Sequence, residues 1–396
     1  MSFKNSRVVV GDSVLPVSGI SVDSGVIVSI ESDESKTDLP KQAFDKLTLV
    51  PGFIDVHCHG AVGVDANTAD AAGLLKVAEF LAKNGVTAWM PTLVPDSDED
   101  YNRAIDAIDE LMELQGGKPV AQAVGVHYEG VFASEAMCGA LRSQYFKTYS
   151  THTKNHPVGE TPPPLLGKEG SLIDLPRLKK GVHMTTLAPE VDGGIELVKE
   201  LVADDWVVSI GHTRADAATL DDAFEAGARH MTHFFNAMTG VHHRELGVAG
   251  WGLANKDVTF DIIADGVHVA SQMLEMACRI KSPDKVSLIS DSVAPTGLGD
   301  GEYELWGEKI TVTNGRTQNE RGSIAGSVST MLDGVKIMRA ISFSDVEIAK
   351  MASTNPARLL GLDDRGSIEV GKRADIVGFD SDGKIAFTMI GGDMCQ

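Results

Sequence analysis

The sequence predicts an α/β protein: a (β/α)8 barrel carrying a small β domain assembled from both ends of the chain. Three observations predict it. Eight short apolar runs alternate with amphipathic stretches through the middle of the chain, the pattern of βα units around a parallel sheet. β-rich segments punctuated by turns stand at both termini. The first central run ends in His57-Cys58-His59 instead of the glycine-rich turn expected after the first strand of a doubly wound sheet, which is the alternative architecture.

The 396 residues would make two to three domains of about 150, although an α/β barrel of ~250 residues counts as one. Hydrophobic residues at 43% and charged residues at 23% are ordinary for a folded chain and argue against disorder or a fibrous repeat. Thirty-five basic against 56 acidic side chains give a formal charge of −21. A field of that sign repels phosphate backbones and anionic lipid, so neither nucleic acid nor membrane is an expected partner. No run approaches the ~18 apolar residues of a membrane span, and residues 1–10 lack a basic segment followed by an apolar one. The expected location is the cytoplasm. Cys58, Cys138, Cys278 and Cys395 are widely spaced with no CxxC pairing, so reduced thiols are expected.

Residues 6–10, 14–22, 26–31 and 47–50 read as short strands, as do pieces of 366–380 and 385–390. Neither terminal block could bury a core alone. Segments 1–50 and 359–396 are therefore expected to pack together as one small β-sandwich domain, leaving 51–358 as the barrel. Its strands are expected at 53–56, 86–90, 123–127, 182–187, 206–210, 230–234, 259–264 and 286–290, the eight of a TIM-type barrel. Amphipathic stretches at 71–83, 101–114, 194–202 and 215–226 supply helices between them. Residues 142–176, with Pro162, Pro163 and Pro164 in a row, resist the scheme and are expected to form an exposed excursion.

Barrel active sites are built at the C-terminal ends of the strands. Read in order, those ends carry His57 and His59, Thr92, Glu129, Glu190, His212, His233, Asp265 with His268, and Asp291. The period of two along an extended chain puts both imidazoles of His57-Cys58-His59 on one face and turns Cys58 to the other. Four histidines and carboxylates at one rim form a nitrogen and oxygen donor set suited to Zn²⁺ or Fe²⁺, with room for water. The bland alternative makes these histidines satisfied core residues. His127, two positions before Glu129, faces the same interior side one layer deeper, which favours a supporting or packing role.

The stretches PGFIDVHCHG at 51–60, GVHYEG at 125–130, TLAPE at 186–190, SIGHT at 209–213, THFFNAM at 232–238, HHRE at 242–245, IADGVH at 263–268, SDSVAP at 290–295, IAGS at 324–327 and NPAR at 355–358 carry a resemblance. The chain resembles the amidohydrolase superfamily and, within it, the N-acetylglucosamine-6-phosphate deacetylase family. The PGFID-HxH opening is common to the superfamily, whereas TLAPE, the Asn-Ala-Met segment and HHRE are narrower. The resemblance implies that Glu129, His212 and His233 hold a principal divalent metal, zinc first and iron second. It also implies that His57 and His59 can hold a second ion bridged by Glu129, and that Asp291 is the general base and acid. Arg244, with His243 beside it, would take the phosphate of a small sugar-phosphate substrate. In the family this arginine can reach the neighbouring subunit's site, which implies a homodimer. Ala140, Asn236, Ala237, His268 and the Ile324, Ala325 and Gly326 loop would surround the sugar and acyl group.

The match departs at Val131, where relatives carry proline, and at Leu141, where many carry a histidine that polarises the acyl carbonyl. A dihydroorotase-like or adenine deaminase-like hydrolase of a cyclic amide or nucleobase is the rival enzyme. Those relatives often bridge their metals with a carboxylated lysine, and no lysine ends a strand here. A catalytically silent barrel scaffold is the rival from another class, but Asp291 and the candidate ligands are all present.

Overall fold

A computed structural model describes residues 1–32, 43–149 and 175–395. The proline cluster at 162–164 and most of the expected excursion lie outside the described residues. Eight parallel strands form the barrel: β1 (Phe53–Cys58), β2 (Val86–Leu93), β3 (Gly125–Phe132), β4 (Val182–Leu187), β5 (Val207–Ile210), β6 (His230–Met231), β7 (Thr259–Ile263) and β8 (Val286–Ile289). Neighbours in sequence pair in order from β1 to β8. The ring approaches closure where the Asp291 amide donates to His57 O at 2.9 Å and Cys58 bridges to Ser292. Every residue of β1, β2, β3 and β8 is buried, which explains why these strands read as continuous apolar runs.

Helices cover the outside, and their starts follow capping chemistry. Asp70 caps Ala71–Lys83 by accepting from the Gly73 amide, and Asp216 caps Ala217–Ala226 through Thr219. The second helix starts at Asp98, three residues before its apolar period begins. Ser97 caps it, and Asp98, Glu99 and Asp100 place negative charge on its positive end. The helix Gly247–Ala254 has no apolar stripe, being apolar or glycine throughout, and periodicity does not reveal it.

The chain ends meet in one curled eight-stranded sheet. Thr48–Pro51 pairs antiparallel with Ile376–Phe379, setting Val50 opposite Val377. The sheet has its own core, including Phe3, Val8, Ile20, Ile27, Leu49, Ile376 and Met389. Because Thr48–Pro51 leads straight into β1, this sheet anchors the strand that carries the first two histidines.

After β8 the chain makes a three-stranded antiparallel unit, Gly301–Leu305, Glu308–Thr313 and Arg316–Asn319. The sequence scheme above does not include it. Asn314-Gly315 between alternating residues is nevertheless a strong hairpin signal.

Candidate metal centre and pocket

At the C-terminal ends of the barrel strands, His57 and His59 leave β1, Glu129 leaves β3, and His212, His233 and Asp291 follow β5, β6 and β8. Their donor atoms converge. Glu129 Oε1 lies 3.0 Å from both His212 Nε2 and His233 Nε2, which are themselves 3.0 Å apart. On the other side, His57 Nε2 and His59 Nε2 are 3.1 Å apart, and Glu129 Oε2 is 3.3 Å from His59. Asp291 Oδ1 completes the cluster at 3.4 Å from His57 and 3.3 Å from His59. All six residues are buried.

The hydrogen bonds around the rings show what this cluster is built to hold. His59 Nδ1 donates to Thr92 O at 3.1 Å and His212 Nδ1 to Met137 O at 2.8 Å, so in the neutral form both Nε2 lone pairs point at carboxylate oxygens. His57 and His233 have no hydrogen-bond partner at Nδ1 among the described residues, so their polar contacts also lie at Nε2. Acceptors facing acceptors at 3.0–3.5 Å require positive charge between them. The affinity of these imidazoles for protons measures that demand. Burial opposes a charge on His59, but Asp291 and Glu129 raise its pKa to about 10. Burial likewise opposes a charge on His233, and Glu129 leads the groups that raise it to about 9. Burial would push Glu129 up, yet the surrounding imidazoles, His57 first, hold it well below the usual carboxylate range. The donor set therefore fits a divalent cation in two groups that share Glu129: His57, His59 and Glu129, and Glu129, His212 and His233.

Three of these residues adopt left-handed backbone: His212 at φ 48°, His233 at φ 34° and Asp291 at φ 49°. Such angles are costly for non-glycine residues and persist where the surroundings enforce them. The buried carboxylate of Asp261 accepts from the His233 amide and lies 3.1 Å from His230 Nε2. Asp291 is gripped on both sides of its own peptide, its N–H by His57 O and its carbonyl by the Ser327 amide at 2.7 Å. Gly326 lies close by, where a Cβ would sit 2.4 Å from Val293 and 3.0 Å from Asp291 O, at φ +60°. Burial raises Asp55 to about 6 while it ties β1 to Ser290, accepting from both the amide and the hydroxyl.

Beneath the donor cluster a buried file of side chains crosses the barrel. His127 Nε2 lies 2.7 Å from Thr186 Oγ1, which is 2.6 Å from Thr232 Oγ1, itself 2.6 Å from Ser209 Oγ. His127 also packs edge-to-face on His57, ring centres 4.7 Å apart. Burial drives its pKa well below the ordinary value, so it is neutral and can accept from Thr186.

Above the donor cluster lies a cavity of about 290 Å³. It is lined by His59, Glu129, His212, His233 and Asp291, and by Ala140, Asn236, Ala237, His268, Ile324 and Gly326. Those are most of the residues singled out in the sequence. His268 is oriented by Asp265, which accepts from its Nδ1 at 2.7 Å and from its amide at 2.8 Å. His57 sits just below the lining. Ala325 is fully buried against the hairpin core, and His243 and Arg244 stand on the exposed 240–246 segment outside the lining. Glu190, another strand-end carboxylate, is occupied locally by Thr213 and by the Arg214 amide. Cys138 is part-exposed in the loop that brings Gly139, Ala140 and Leu141 to the rim. Sequence reasoning does not single out Trp306, which also lines the pocket; the Asn314-Gly315 hairpin signal was the available pointer to it.

A parallel barrel whose strand ends hold a four-histidine, one-glutamate cluster beside a buried aspartate defines a metal-dependent hydrolase site. Residues 48–395 match the amidohydrolase family. The chain belongs to that family. It is 33% identical to the N-acetylglucosamine-6-phosphate deacetylase of Bacillus subtilis, over 99% of this chain and 96% of that one. It is 32% identical to the N-acetylgalactosamine-6-phosphate deacetylase of Escherichia coli O157:H7, over 91% and 90%. The solved N-acetylglucosamine-6-phosphate deacetylase of Thermotoga maritima has the same fold, with a TM-score of 0.84, 30% identity and 99% of each chain covered.

Proposed function

We propose that this chain hydrolyses the acetamide of N-acetyl-D-glucosamine 6-phosphate to D-glucosamine 6-phosphate and acetate, a step of amino-sugar catabolism. The observation that carries the reading is Asp291 Oδ1 held 3.3–3.4 Å from His57 and His59, beside the donor cluster at the pocket floor. A divalent ion in such a cluster polarises a carbonyl and lowers the pKa of a coordinated water towards about 7. Glu129, His212 and His233 would hold the principal ion, and His57 and His59 a second one with Glu129 shared. Zinc suits the nitrogen-rich set first, iron second. Asp291 is the general base that takes the proton from the attacking water and the acid that delivers it to the amine as the C–N bond breaks. Its pKa supports the first role: burial would raise it, but the imidazoles, His57 foremost, hold it below the usual carboxylate value.

For the substrate, Ala140, Asn236, Ala237, His268, Ile324 and Gly326 surround the sugar and acyl group. Among the described residues no lysine or arginine lines the pocket, while Arg244 and His243 stand exposed on their own segment. That separation supports a homodimer in which each Arg244 enters the partner's pocket and takes the phosphate through its planar fork. Cys58 and Cys278, buried thiols in no disulfide, accord with a reducing cytoplasm, and no helix among the described residues is long and apolar enough to cross a membrane.

The likeness to the N-acetylgalactosamine-6-phosphate deacetylase of Escherichia coli O157:H7 favours a second reading, deacetylation of the C4 epimer. One assay tests both: metal-stripped protein resupplied with single ions and given N-acetylglucosamine, N-acetylgalactosamine and N-acetylmannosamine 6-phosphates. Acetate release restored by zinc or iron, fastest on the glucosamine compound, is the expected result. Activity that survives stripping, or equal rates on phosphorylated and unphosphorylated sugar, would refute it.

A further inference from the structure

Trp306 breaks a local rule. It and Gly307 form the two-residue connection between Gly301–Leu305 and Glu308–Thr313, with φ of +55° and +79°. Two left-handed residues in a hairpin turn favour Asn-Gly, and a bulky side chain at the first position is an outlier. Such a conformation is kept where other contacts enforce it. Here the indole makes them: its Nε1 donates to Asp65 Oδ2 at 2.8 Å, and its ring meets His59 edge-on with centres 5.2 Å apart. The side chain also joins two apolar groups, the hairpin base around Val293, Leu305 and Ile310, and the rim around Val94, Ala133 and Leu141. Trp306 and Leu141 thus form one apolar wall of the pocket next to the metal-binding imidazole.

We propose that Trp306 and Leu141 form the acyl subsite and that the indole sets its depth, limiting the enzyme to short acyl groups. The inference rests on the deacetylase reading above. An acyl carbonyl that reaches the donor cluster has its alkyl end within a bond or two of that cluster, and the wall beside His59 is apolar and closed by the indole. Neither side chain can hydrogen-bond a carbonyl at that wall, so their contribution is shape.

The test is a series of N-acetyl, N-propionyl and N-butyryl glucosamine 6-phosphates, measured as kcat/KM with metal content determined in parallel. Wild type should lose roughly 10- to 200-fold for each added methylene, the discrimination usual for an apolar pocket of fixed depth. Trp306→Asn, which suits the turn and removes the indole, should raise the butyryl-to-acetyl ratio at least tenfold. Trp306→Phe, which keeps a ring, should move it less. An unchanged ratio in Trp306→Asn overturns the inference. So does a uniform loss on all three substrates, which would place the indole against the sugar or in support of the metal. If wild type cleaves none of the three, the deacetylase reading fails first and takes this inference with it.

Discussion

Thr232→Val tests whether the buried file beneath the ligands is a hydrogen-bonded unit or a chance alignment. Ser209, Thr186 and Thr232 have no exposure, and the two links at Thr232 are both 2.6 Å. Thr92 Oγ1 donates to Met90 O and so faces His127 Nδ1, 3.5 Å away, as an acceptor. With its proton on Nδ1, neutral His127 accepts at Nε2, and this tautomer orders the file: Ser209 donates to Thr232, Thr232 to Thr186, and Thr186 to His127. Valine has nearly the same shape as threonine, so no cavity complicates the result. It strands the Ser209 hydroxyl with no acceptor and leaves Thr186 without its donor. A buried donor without a partner costs about 1–3 kcal/mol and a lost hydrogen bond about 1 kcal/mol, so we expect about 2 kcal/mol of destabilisation. Urea unfolding of metal-loaded protein at unchanged m measures it. Ser209→Ala alone should cost less, because Thr232 can still donate to Thr186. The double variant should be more stable than Thr232→Val by about 1 kcal/mol, since it deletes the stranded hydroxyl. Additive losses in the double variant, or a cost below about 0.5 kcal/mol for Thr232→Val, would refute the ordered file.

Asp291→Asn should retain bound metal by elemental analysis while lowering kcat by two orders of magnitude or more, because the amide neither accepts the water proton nor returns it to the amine. Arg244→Ala should raise KM for the phosphorylated sugar at least tenfold with a smaller change in kcat, and it should leave any turnover of the unphosphorylated sugar unaltered. Gly326→Ala places a methyl 2.4 Å from Val293 in left-handed backbone, so it should cost about 1–3 kcal/mol in denaturant titrations and reduce kcat by displacing Asp291. His183 is lowered to about 4 by burial and by Arg177, and its neutral Nε2 accepts from the Leu178 amide at 3.0 Å. Its folded pKa lies below the unfolded value near 6.5, so this stability is full above that value and is lost as pH falls towards 4. The side chain is partly solvated, so about 1 kcal/mol is at stake. The drop in unfolding free energy between pH 7.5 and 5 should be smaller in His183→Gln by that amount.

The barrel was legible because its strands are buried on both faces and their apolar runs stand out between amphipathic helices. The centre was legible for a related reason: polar residues that end such runs conflict with burial unless they meet one another, and His57, His59, Glu129, His212, His233 and Asp291 do meet. Helix starts slipped where capping overrode periodicity, as at Ser97. Trp306 escaped because its hairpin follows the last strand, where a barrel pattern makes no demand, and because an aromatic residue in a turn carries no ligand signature. The exposure of Arg244 came only from the resemblance, since in the residue pattern itself a basic residue beside histidines reads the same whether it faces its own pocket or a neighbour's.

The backbone around the centre shows how these side chains are aimed. His212, His233 and Asp291 each leave a strand in left-handed conformation, a turn that redirects a side chain inward within one residue. A strand continuing in β conformation would alternate its side chains between interior and helix layer and could not bring every donor to the same depth. The file from Ser209 to His127 lies one layer lower, so a hydrogen-bonded floor supports the ligands while Asp261 and Ser327 hold two of the strained peptides from the sides. Because the strain sits on the ligands and their supports are buried, damage below the site should alter metal affinity before it alters the chemistry. Metal release from Thr232→Val to a chelator, compared with wild type at the same pH, separates the two. Faster release with kcat intact in the loaded enzyme is expected, whereas normal release with depressed kcat would mean that the floor acts on the reaction and not on the ligands.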